Sequence, residues 1–296
     1  MKALFALINR NRKLFFKDKG MFFSSLMTPL ILIVLYATFL ANVYKKSFES
    51  ALPEVMVVSE SLINGTVAAQ LMAALLAVSC VTVTFCVNLT MVQDRANGAR
   101  KDFNVSPVKS PVIYMGYFFA TVLNSLMVNG VAFALCLVYV KSMGWYLSAS
   151  DIVLLLLDIL LLVLFGAVLS SIVCYPLKTQ GQMSAVGTIV SAGYGFVCGA
   201  YMPISNFSEG LQKGMSYLPS TYGTSLLKNH MMRGIFEEMK TIGFPEEAVK
   251  GIADSLDCNP VFRGEVVSPV QMIIVIAATI LILGLIYLTV CARTER

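Results

Sequence analysis

The side chains in this sequence with chemical potential are few, and one sits where charge is costly. Asp158 interrupts the apolar run Leu154-Leu155-Leu156-Leu157-Asp158-Ile159-Leu160. A carboxylate at the centre of a hydrophobic span costs about 2.5–3.5 kcal/mol on insertion scales, so it marks a cation or proton site or a hydrogen bond to a neighbouring span. Asn124 and Asn129, in the apolar block before it, are the expected partners for the second reading. The one histidine, His230, has no Ser, Cys or carboxylate motif beside it. The seven cysteines include no Cys-x-x-Cys pair, so zinc ligation is not supported, the expected metal is none, and a structural disulfide is not expected. No paired carboxylates or nucleophile motif support a membrane enzyme.

Charge is densest in Gln93-Asp94-Arg95-Ala96-Asn97-Gly98-Ala99-Arg100-Lys101-Asp102-Phe103-Asn104-Val105-Ser106-Pro107. Directly after an apolar block, this reads as a short helix parallel to a membrane, ending before Ser106-Pro107. Asp94, Arg95, Arg100 and Lys101 would then be available for ion pairs with a soluble partner. The plainer alternative is a solvated loop whose charges set topology.

The elements that must position these residues are hydrophobic spans. The chain has 296 residues, 57% hydrophobic and 13% charged, against about 45–50% and about 25% for an average soluble domain. The excess is gathered into blocks of roughly 20 residues, the length that crosses a bilayer. Nucleic-acid modules, disulfide-rich secreted domains and ordinary soluble enzymes are excluded. The expected fold class is an all-α membrane protein with six transmembrane helices at about 22–43, 67–90, 112–140, 152–175, 183–202 and 269–291. Residues 1–20 mix Leu, Phe and Ile with Arg and Lys and read as an N-terminal amphipathic interfacial helix; 22–43 is read as an uncleaved anchor. The whole chain is read as one transmembrane domain.

Lys and Arg placement orients it. The termini and the loops after the second and fourth spans together hold 13 of the 22 basic residues and 4 of the 17 acids. The opposite side holds 9 basic residues and 12 acids. Both termini are therefore expected in the cytoplasm, with the chain multi-pass in a plasma membrane such as the bacterial inner membrane. The long loop 203–268 would lie outside. Between Pro203 and Tyr222 it carries Phe207, Leu211, Met215 and Leu218 at helical spacing, which suits a re-entrant hairpin. The acidic remainder from about Asn229, including a helix near Pro245–Leu256, reads as a small soluble cap.

Two of these segments carry a family resemblance. Asp94-Arg95-Ala96-Asn97-Gly98 running to Ser106-Pro107 after the second span resembles the ABC type-2 exporter permeases. Pro203 after the fifth span and Leu218-Pro219-Ser220-Thr221-Tyr222 further on are similar to that family too. The order and spacing of the motifs cover nearly the whole chain. The loop before the last span is longer than in the polysaccharide-exporting members, which points to the drug, peptide or ion branches.

The resemblance implies a half-transporter. Two permease chains, identical or paralogous, would face each other above two cytosolic ABC ATPase subunits. No G-x-x-x-x-G-K-[S/T] loop occurs, so this chain would bind no cofactor, with ATP and Mg on the partner ATPase. Asp94, Arg95, Gly98, Arg100, Lys101 and Phe103 would form the coupling helix. Pro203, Leu218, Pro219 and Tyr222 would form the outer re-entrant gate, and Tyr36, Phe39, Tyr194 and Phe196 would line the path between the first, second and fifth spans. The expected partners are these subunits, membrane lipids and a hydrophobic or amphipathic cargo such as a drug, antibiotic or peptide, with no nucleic acid. The rivals are a sodium exporter using Asp158 and a non-transporting membrane protein for antibiotic sensing or immunity.

Overall fold

The computed structural model describes residues 2–36, 42 and 59–293. In chain order the helices are α1 (Lys2–Lys17), α2 (Lys19–Leu35), α3 (Glu60–Ala96), α4 (Arg100–Asn104), α5 (Ser110–Met143), α6 (Ala149–Cys174) and α7 (Gln180–Val197). They continue with α8 (Glu209–Met215), α9 (Pro219–Thr241), α10 (Glu246–Ser255) and α11 (Pro269–Arg293). A two-residue hairpin, β1 (Val261–Phe262) with β2 (Glu265–Val266), precedes α11. The chain is an all-α membrane protein in class. Among the described residues, α3, α5, α6 and α11 are long and apolar enough to cross a bilayer. Helix α2 is shorter, and α7 is rich in Gly, Ser and Gln.

Helix α3 is the pillar. Its most apolar window is 94% buried inside the protein, against 11% for α11. The cause is composition: Ala, Ser, Thr and Gly recur on every face of α3, and small residues let neighbouring backbones approach closely where lipid supplies no hydrophobic drive. Helices α2, α5, α6, α7 and α9 all pack on it. Helix α11 instead leaves Val270, Ile274, Leu281 and Leu285 exposed, the signature of a lipid-facing span.

Several boundaries differ from expectation. The second span extends from 67–90 to Glu60–Ala96, because its polar ends find partners within the protein; Ser59 caps it by accepting from the Leu62 N–H at 3.3 Å. The expected helix Asp94–Phe103 is divided. Asp94 and Arg95 complete α3, a turn with Gly98 at φ 80° follows, and α4 begins at Arg100. The positive φ is open to glycine without steric penalty. Of the first span, Lys19–Leu35 is helical with Pro29 inside it, while its later part, Phe39 included, lies outside the described residues.

The long loop departs most. The helix at Glu246–Ser255 lies where one was expected, but Pro219–Thr241 is neither a hairpin limb nor a soluble cap. It is the 23-residue helix α9, seated against α3, α6 and α11. Its mean hydropathy is too low for hydropathy reading to find it. Ser220 through Lys228 are all buried, so its first turns are enclosed on every face, and burial narrows to one face only toward Ile235 and Met239.

Candidate functional site

Three arrangements concentrate the polar chemistry. The first is the α4 end of the bundle. Asp94 is 7% exposed and already paired: Arg10 of α1 donates through Nη2 to Oδ1 at 3.0 Å and through Nη1 to Oδ2, and the Tyr117 hydroxyl of α5 donates to Oδ2. The hydrogen bond to Asp94 pushes the Arg10 guanidinium above its ordinary value. Gln93 donates to Asp18 at 3.2 Å, and Asp18 caps α2 by accepting from the Met21 N–H at 3.0 Å. These two bonds, the backbone one first, hold the Asp18 carboxyl below the usual range.

Arg95 points the other way. Its guanidinium donates to the carbonyls of Cys174 at 3.3 Å, Leu177 at 2.9 Å and Tyr175, where the α6 terminus leaves carbonyls unpaired and its dipole favours a cation. The Tyr114 and Tyr175 rings lie 5.8 and 5.4 Å from it. Arg100 lies 4.5 Å over the Tyr114 ring, and Arg10 lies 5.1 Å from the Phe103 ring.

The expectation that Asp94 and Arg95 are available for ion pairs with a soluble partner is therefore corrected. Both side chains are spent inside the protein, tying α3 to α1, α5 and the α6–α7 connection. Lys101 and Asp102 face outward, and Val105 is 88% exposed.

The second arrangement is a groove of about 1040 Å³ between α2, α3 and α7. Met21, Met27 and Ile31 of α2 and Leu89 of α3 make it apolar; Ser24, Thr28, Ser184, Thr188 and Ser191 add hydroxyls. Tyr36 and Phe196 line it, as does Tyr201, which was not expected. Tyr194 does not line it. It packs toward the core, its hydroxyl buried without a hydrogen-bond partner among the described residues. The position i−2 from Phe196 turns Tyr194 about 160° around the helix. An amphipathic trough of this kind accepts flexible molecules with both apolar and polar groups.

The third is α9, which carries Lys228, His230 and Arg233 within six residues. His230 Nδ1 lies 2.6 Å from Asp158 Oδ2, with side chains 8% and 3% exposed. Asp158 is thus bound by the helix from the long loop and not by Asn124 or Asn129. The Asn124 amide has no protein partner among the described residues, and Asn129 donates to its own helix at the Ser125 carbonyl. Arg233 Nε lies 2.7 Å from Asp151, which also closes the capping box of α6 with Ser148. Lys228 pairs with Asp257 at 3.3 Å. Sequence reasoning missed all three pairs, although a lone acid in one span and a lone histidine elsewhere were a usable signal. Of the expected gate residues, Pro203 and Leu218 are at least partly exposed, whereas Tyr222 is buried and donates to the Ser216 carbonyl.

A comparison with protein families matches the ABC-2 type transporter model over residues 2–232. No individual curated protein gives a match. The matched region includes α1, the α3–α4 junction, the groove and the first half of α9. The chain belongs to the ABC-2 type transporter family, as the membrane-embedded permease component of an ABC transporter and not its ATPase.

Proposed function

We propose that this chain is half of the membrane part of an ATP-driven exporter that moves an amphipathic small molecule or peptide, such as a drug or antibiotic, out of the cell. Two permease chains, identical or paralogous, face each other through α2 and α7, and their grooves join into the path. The groove carries this reading. It combines apolar and hydroxyl lining, it lies between the first, second and fifth spans, and α7 presents Gly181 and Gly193, whose missing side chains would meet nothing within 4 Å.

The α4 end is cytoplasmic and seats one of the two ATPase subunits, which hold ATP and Mg. Lys101, Asp102 and Val105 form the exposed contact, and Asp94, Arg95, Arg100 and Phe103 brace it from behind. A push on α4 then reaches α1 through Arg10 and the α6–α7 connection through Arg95. The rim near Pro203 and Leu218 lies on the outer side. Sodium export through Asp158 is disfavoured, because its Oδ2 is already engaged by His230.

Purification of the tagged chain from native membranes, with co-purifying subunits counted, tests the assembly. Cysteines placed at Ser184 or Thr188 should cross-link between permease chains. A chain recovered alone across several detergents with ATP trapped would overturn the half-transporter reading.

A further inference from the structure

Lys228 is the most deeply buried charge on α9, its side chain 2% exposed. Its ammonium donates to the Gly199 carbonyl at 3.1 Å and to Asp257 Oδ2 at 3.3 Å. Asp257 follows α10 in left-handed backbone, φ 57°, and its carboxylate accepts the Ile204 N–H at 3.2 and 3.0 Å. Gly199, at φ 70°, and Ile204 bracket the turn that reverses the chain after α7. This turn carries Tyr201, whose ring stands edge-on to Phe196 at 4.9 Å and whose hydroxyl donates to the Ser191 carbonyl at 3.4 Å. Phe196 and Tyr201 both line the groove. One buried ion pair therefore holds both ends of the turn at the groove rim to α9 and to the end of α10. A buried ammonium separated from its carboxylate is strongly disfavoured, so the turn cannot leave one helix without disturbing the other.

We propose that Lys228 and Asp257 are positioning residues that fasten the groove rim, residues 199–204, to α9 and α10, so that the rim moves in the transport cycle only as a rigid body with those helices. The functional half of this statement rests on the groove being part of the path; the fastening itself does not.

Two native thiols report on it. Cys198 and Cys258 are both fully buried and adjoin Gly199 and Asp257 directly. The assembled complex is treated with N-ethylmaleimide and the labelling of each cysteine is followed by peptide mass spectrometry. Both should label slowly in the parent. Lys228→Met and Asp257→Asn should each accelerate both sites together, by about tenfold to a hundredfold, the factor set by losing a hydrogen bond to a charged group. The double variant should label no faster than the faster single one, since one link is broken. Asp257→Asn keeps the shape and an acceptor for Ile204, and serves where Lys228→Met does not assemble. Unchanged labelling in both variants, or release of Cys198 with Cys258 still protected, would overturn the fastening.

A second arm compares a Tyr201→Cys chain in nucleotide-free and ATP-trapped complexes. Rigid-body motion requires state-dependent labelling at position 201 with Cys198 and Cys258 protected in both states. Exposure of either native thiol on trapping would overturn the fastening. Labelling at position 201 indifferent to nucleotide would count against the path and not against the fastening.

Discussion

Removing His230 while leaving Asp158 in place isolates the worth of one buried hydrogen-bonded pair in an apolar interior. The pair is 2.6 Å long with side chains 8% and 3% exposed, and the α6 residues around Asp158 include buried Leu155, Ile159 and Leu162, which offer no hydrogen bond. Breaking such a pair from one side costs about 3–5 kcal/mol, because the remaining group is left uncompensated. Replacing both partners by apolar groups of similar volume is neutral or stabilising by about 1–4 kcal/mol. His230→Leu and Asp158→Leu should therefore each lower stability by about 3–5 kcal/mol, and the double variant should recover most of the loss. The purified permease is unfolded by heat in mild detergent and followed through its single tryptophan, Trp145. At about 2–4 °C per kcal/mol, each single variant should lose roughly 6–20 °C in Tm. Single shifts under about 2 °C, or a double variant as unstable as the sum of the singles, would refute the reasoning. The double variant also bears on ion transport: sodium efflux unchanged in it would remove Asp158 as an ion ligand.

Other perturbations follow from the same geometry. Arg95→Ala should cost about 2–4 kcal/mol by removing charge-assisted bonds to the α6 terminus, and Arg95→Lys should recover only part, since an ammonium cannot reproduce the guanidinium fork; limited proteolysis of the α6–α7 connection reads both, and full rescue by Lys would contradict the geometry. Asp94→Asn/Arg95→Gln should impair assembly of the chain itself, so detergent-stable yield equal to the parent would refute the bracing role of these residues. Gly234→Ala should prevent stable folding, because a Cβ there would stand 1.8 Å from the Tyr146 carbonyl oxygen; normal expression and melting would overturn the packing of α9 against the α5–α6 connection. Asp18→Ala should cost about 1 kcal/mol at pH 7 as a lost cap. The Asp18 pKa is depressed in the fold, so its contribution is present above the ordinary carboxylate value of about 3.9 and fades as pH falls through the lower folded value. A variant penalty that grew on acidification would show the sign to be wrong.

Much of the architecture was legible because a bilayer imposes a length and a polarity that local sequence must satisfy. The apolar blocks at 112–140, 152–175 and 269–291 correspond closely to α5, α6 and α11. Tyr36 and Phe196, distant in sequence, both line the groove. Helix α9 was illegible for a physical reason. Its neighbours α3, α6 and α11 shelter it from both water and lipid, so no one-dimensional hydropathy pattern was required of it. The direction of each charge at the α3 end was equally hidden, since one residue step on a helix turns a side chain by about 100° and separates Asp94, facing Arg10, from Arg95, facing the α6 terminus.

By itself the sequence determined that this is a multi-span membrane protein of the ABC type-2 kind, with its most informative charges after the second span and one acid out of place in the fourth. The membrane class follows from composition and from the free energy of placing charge in hydrocarbon, neither of which needs a partner segment, whereas the family entered as a resemblance carried by the motifs around Asp94 and Pro219. Only the tertiary structure decided what the charges do. Asp158 meets His230 across 72 positions, Arg10 meets Asp94 across 84, and Lys228 meets Asp257 across 29. A buried pair is a property of two elements at once: the sequence can offer the members, as it did the lone acid and the lone histidine, but packing decides which two meet within about 4 Å.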